Sequence, residues 1–134
     1  MATQLAYFRH VALITWASPW TLLGLCLGAA GMLSGGCARR GPGILEFHGG
    51  AVRWLLWCMP GEPLAMTLGH TVLGLDECSL DHAQSHELVH VRQYERWGPL
   101  FVPAYLACWI ALRLSGKDGY RDNPFEREAY DRDQ

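Results

Sequence analysis

The chain has 134 residues, enough for one domain of ordinary size, so a single core and a single site are the most to expect. Half of the residues are hydrophobic and 18% are charged, below the roughly one quarter usual in soluble domains, so the composition leans towards a membrane. The formal charge is -2, and no basic run with interleaved aromatics occurs, which excludes nucleic-acid binding.

Residues 11–33 carry no charge, and their number is close to the ~20 that an α-helix needs to cross a hydrocarbon core. A transmembrane helix is expected there, with a signal peptide or a buried core helix as alternatives. Tyr7 and Phe8 fit one interface, Arg39 and Arg40 stand just past the other, and Gly24/Gly28 and Gly31/Gly35 offer small faces for helix packing. Arg9 precedes this helix, whereas Arg39, Arg40 and Arg53 follow it. The positive-inside rule therefore places the C-terminal part in the cytoplasm. Residues 1–40 are read as a membrane anchor and 41–134 as the functional domain.

Gly41-Pro42-Gly43 reads as a linker, followed by strands over 44–48 and 51–57 joined at Gly49-Gly50, a dipeptide suited to a two-residue hairpin. Pro60-Gly61-Glu62-Pro63 breaks the chain before a further strand over 65–73. The expected sheet is small and antiparallel. The 65–73 strand is a candidate edge on which an extended peptide could lie. From about Ser79 the period turns helical, with Ser79 or Asp81 as cap and Gly98-Pro99 as terminator. Residues 100–114 form an apolar helix interrupted by Pro103, expected to return antiparallel to the first. Asn123-Pro124 then reads as the start of a last helix, with asparagine at the N-cap and proline at its first position. The five cysteines are odd in number and lack a CxxC pair, so they read as free and mostly buried.

The chemistry concentrates in His86-Glu87-Leu88-Val89-His90. Two imidazoles at i and i+4 lie one above the other on a helix and can reach one ion, while Glu87, turned about 100° away, flanks it. Zinc suits this set, because it brings the pKa of a bound water towards ~7 and polarises a carbonyl, and Glu87 can then act as general base. A catalytic zinc needs a third protein ligand. Glu126 is the first candidate and Glu128 its rival, with His82 further off. His70, Tyr94 and Tyr120 are candidate hydrogen-bond donors to an oxyanion.

His86–His90 followed by Glu126-x-x-Ala129 resembles the HExxH…ExxA arrangement of gluzincin-type zinc metallopeptidases, over residues 79–131. The stretches HELVHVRQYERWGPLFVPAYL and YRDNPFEREAY also resemble a group of small bacterial membrane proteins. The resemblance implies His86, His90 and Glu126 as zinc ligands, Glu87 as catalytic base, a zincin-like helical unit and a peptide or protein substrate. It departs at Tyr130, where many gluzincins have an acid. Glu77-Cys78-Ser79 resembles a deformylase ligand motif, but it stands too close to His86 for that family's layout. The expectation is thus an α+β membrane-associated zinc metallopeptidase of the bacterial inner membrane, in contact with lipid. The alternatives are a non-catalytic zinc protein with a structural site and a membrane interaction protein without metal.

Overall fold

The computed structural model describes residues 1–133 and is a mixed α+β fold. Helix α1 spans Ala2–Leu33 and runs for about 48 Å at the α-helical rise. Strands β1 (Cys37–Gly41) and β2 (Ile44–His48) follow, then α2 (Gly50–Cys58), β3 (Ala65–Leu68) and β4 (Thr71–Gly74). Helix α3 (Glu77–Trp97) passes through a short 3-10 turn (Gly98–Leu100) into α4 (Phe101–Leu114), and α5 is Pro124–Asp133.

The four strands lie in the order β1-β2-β4-β3, so β3 is an edge. Side chains alternate across the sheet as the two-residue strand period demands. Ile44, Ala65 and Val72 face α3 and pack on Leu80 and Val91. Phe47, Leu68 and Leu73 face the other way, with Val52 and Leu56 of α2. The glycines of α1 close this second layer: a Cβ on Gly24 would meet Thr71, one on Gly28 the Phe47 ring, and one on Gly31 Val52. Ala17 of α1 joins Tyr94, Phe101 and Phe125 in a third cluster, where α3, α4 and α5 meet. Glu46, 1% exposed on the α3 side of β2, is held by Arg39 at 2.6 Å and by Gln84. Arg39 also reaches Asp81 at 2.7 Å, which ties the first hairpin to the start of α3.

Five expectations are corrected. The sheet is mixed rather than antiparallel, because β2 and β4 run parallel and a parallel pair needs a crossover, here α2 and β3. Residues 51–57 are helix, not strand: Val52 and Leu56 are buried four residues apart while Arg53, Trp54 and Trp57 are exposed, a period of 3.6 rather than 2. Accordingly Gly49-Gly50 opens α2, and the hairpin turn lies at Pro42-Gly43. The 65–73 strand is two strands joined at Gly69-His70, paired antiparallel. Cys26, Cys37, Cys58 and Cys78 are free as expected but exposed.

Two helical runs, Ala2–Leu33 and Glu77–Leu114, are long and apolar enough to cross a membrane. Residues 2–12 of α1 and its Ile14 and Trp16 are exposed, whereas from Ala17 onward one face is core. A division of the chain at residue 40 passes through β1, and the packed half of α1 is continuous with the sheet.

Candidate metal centre

Asp76 caps α3, three residues earlier than the nearest expected cap: its Oδ1 accepts the Ser79 N–H at 2.7 Å. That bond holds its carboxyl below the usual carboxylate range. The longer helix leaves the phase of the motif unchanged. His86 and His90 face α5, and Glu87 faces β3.

At the far end of the site, Asn123 starts α5 as expected. Its Oδ1 accepts the Phe125 N–H at 3.1 Å and its Nδ2 donates to the Tyr105 carbonyl. The Asn123 N–H goes to Tyr120, so Glu126 does not close a capping box and is turned into the site instead. Tyr105, on α4, donates to Glu126 Oε1 at 2.7 Å and leaves Oε2 for the imidazoles. Helix α4 thus reaches the site through its first turns, by Phe101 and Tyr105. Phe101 packs on Tyr94 with ring centroids 4.3 Å apart, and beyond Tyr105 the side chains of Leu106, Ile110 and Leu114 are uncovered.

His86 Nε2 stands 3.0 Å from Glu126 Oε2, His90 Nε2 stands 3.4 Å from the same oxygen, and the two nitrogens are 3.2 Å apart. Ligand atoms set tetrahedrally about 2.0–2.1 Å from a zinc ion are roughly 3.3 Å from one another. The three edges therefore fit a zinc-sized ion at one face of the triangle. The same contacts are of hydrogen-bond or ion-pair length, so the three groups also hold one another in the metal-free chain. His90 and Glu126 are each less than a tenth exposed. Burial works against charge on His90, but its hydrogen bond to Glu126 and the charges of Glu87 and Glu126 outweigh it and raise its pKa to about 9. Burial likewise works against charge on Glu126, yet the bonds from His86 and His90 hold it well below the usual carboxylate range. Each group thus favours the charged form of the other.

No protein-family model, curated protein or solved structure matches the chain.

The site rests on its own geometry. Among the described residues, the group of converging ligand atoms is His86, His90 and Glu126. Glu128 points away: it accepts from Gln93 at 2.9 Å and pairs with Arg96 and Arg132. His82 lines the cleft one turn from His86 without joining the group, and Cys78 is exposed and outside both. Glu87, 6% exposed, is held through Oε2 by the Thr67 hydroxyl at 2.6 Å, and Tyr94 in turn donates to the Thr67 carbonyl at 3.0 Å. Tyr94 is thereby committed to the frame, His70 pairs with Glu95 away from the cleft, and Tyr120 lines the cleft.

Sequence reasoning missed Thr67, Tyr105 and Gln93. Gln93 was accessible from its i+3 spacing to His90. The other two come from separate elements and leave no spacing signal.

The triangle of His86, His90 and Glu126 opens on a cleft of about 680 Å³ walled by β3 on one side and by Phe101, Val102, Tyr105 and Leu106 on the other. Its walls are mostly apolar, and Glu87 lies within it.

Proposed function

We propose that the chain is a membrane-associated zinc metallopeptidase, with His86, His90 and Glu126 as ligands and Glu87 as general base. The observation that carries this is the convergence of three ligand atoms at tetrahedral spacing beside a buried carboxylate, on the wall of an open cleft. The resemblance of the motif to gluzincin-type peptidases supports the same reading. His86, His90 and Glu126 would hold a zinc ion, which would supply Lewis acidity to a water and a substrate carbonyl. Glu87 accepts a proton from the attacking water and passes it to the leaving amine. Thr67 fixes Glu87 Oε2 and leaves Oε1 for that transfer. The edge position of β3 beside the cleft suits an extended peptide paired to it as an added strand. The uncovered first half of helix α1 and the uncovered face of α4 hold the chain to lipid.

A purely structural zinc site takes four protein ligands, whereas three converge among the described residues. The test is elemental analysis of the detergent-extracted protein after zinc-replete purification, alongside a peptide-cleavage screen. About one zinc per wild-type chain, lost in His86→Ala/His90→Ala, is expected, and Glu87→Gln should retain zinc without turnover. Equal zinc in wild type and the double variant would overturn the metal site. Full turnover by Glu87→Gln would overturn the role of the base.

A further inference from the structure

Gln93 lies three residues beyond His90 on α3 and is fully buried. Its side-chain nitrogen is 2.9 Å from the Phe125 carbonyl and 2.9 Å from Glu128 Oε2. Both of these groups accept hydrogen bonds, so the NH2 end of the amide must face them. The oxygen end then faces His90 Nδ1 at 2.8 Å. An amide oxygen only accepts, so His90 Nδ1 must carry the proton. In the neutral imidazole the lone pair is thereby on Nε2, the atom directed at His86 and Glu126.

We infer that Gln93 is a positioning residue that selects Nε2 of His90 as its ligating nitrogen and, through the same amide, holds Glu126 at the site. The second half follows from the partners: Phe125 and Glu128 flank Glu126 in α5, so one side chain of α3 grips the segment that delivers the third ligand. The two helices are brought into register before an ion arrives, and the imidazole cannot turn over without losing the bond to the amide oxygen. An outer partner of this kind typically changes metal affinity by about 10–100-fold. The inference rests on the zinc reading, and its test separates the two.

Zn2+ is titrated against a competing chelator with the full chain in detergent. Gln93→Met, close in volume but without polar atoms, should weaken zinc about 10–100-fold. The exchanged pair Gln93→Glu/Glu128→Gln keeps an acceptor for His90 Nδ1 but removes the donor to the Phe125 carbonyl, so it should recover part of that loss. In zinc-loaded wild type, nitrogen NMR of His90 should show Nε2 coordinated and Nδ1 protonated. Coordination through Nδ1 overturns the inference, however the variants behave. So does undiminished affinity in Gln93→Met, or an exchanged pair that folds but binds as weakly as Gln93→Met. If wild type binds no more zinc than His86→Ala/His90→Ala, the metal site itself falls and Gln93 falls with it. Zinc in wild type with any of the other failures removes Gln93 alone.

Discussion

Glu126 and Glu128 are two residues apart, about 200° around a helix, so one of them at most can face the imidazoles. The cap at Asn123 decides which, because it fixes where α5 begins and turns Glu126 towards His86. Glu126→Ala should therefore reduce zinc affinity at least about 100-fold, since it removes a ligand together with its charge, while Glu128→Ala should have a much smaller effect through Gln93. Chelator competition on both variants measures this, and the reverse order would transfer the ligand role to Glu128. Thr67→Val should leave zinc in place and lower turnover by about tenfold or more, because a buried carboxylate that loses a hydrogen bond costs about 1–3 kcal/mol and loses its orientation. Unchanged turnover would remove Thr67 from the site. His86, Glu87 and His90 could be read from spacing within one helix. Thr67 could not, since twenty residues separate it from Glu87 and the packing of β3 on α3 alone joins them.

Elements are legible where one period dominates and illegible where two compete. The run of residues 51–57 alternates poorly and is short, so strand and helix both accommodate it; the packing of Val52 and Leu56 under α1 selects the helix. That single change converts an antiparallel sheet into a mixed one, because α2 becomes part of the crossover between β2 and β4. The glycines of α1 were legible as a packing face but not as to partner: they meet the chain's own sheet and α2 rather than a second membrane helix. At Gly28 a methyl group would come within 2.5 Å of the Phe47 ring, too close to be absorbed without movement. Gly28→Ala should destabilise the chain by about 1–3 kcal/mol despite alanine's better helix propensity. Ala29→Leu, on the exposed face of the same helix, should stay within about 0.5 kcal/mol of wild type. Thermal unfolding in detergent separates the two, and equal midpoints would mean that α1 is not packed as described.

At the scale of the molecule, α1 has two halves with different duties. Leu5, Tyr7, Phe8, Val11, Ile14 and Trp16 are apolar or aromatic side chains that nothing in the chain covers, whereas Ala17, Gly24, Gly28 and Gly31 are part of the core. Trp20 adds a bond from its ring N–H to the Pro99 carbonyl at 3.1 Å, fixing α1 to the turn from which α4 leaves. Charge and hydropathy patterns mark the whole helix as an anchor, since they report composition and cannot report which side chains are packed. An anchor in that sense could be removed without harm. Removal of residues 1–35 should instead leave Phe47, Leu68 and Leu73 uncovered, and a chain of this size has little stability to spare for that loss. The shortened chain should aggregate or bind no zinc. A deletion of residues 2–12 should keep both fold and zinc, and should weaken retention in membranes washed with alkaline carbonate, where the full chain is expected to remain. Recovery of a folded, zinc-loaded monomer lacking residues 1–35 would show that α1 is a detachable anchor and that its contacts with the sheet carry no stability.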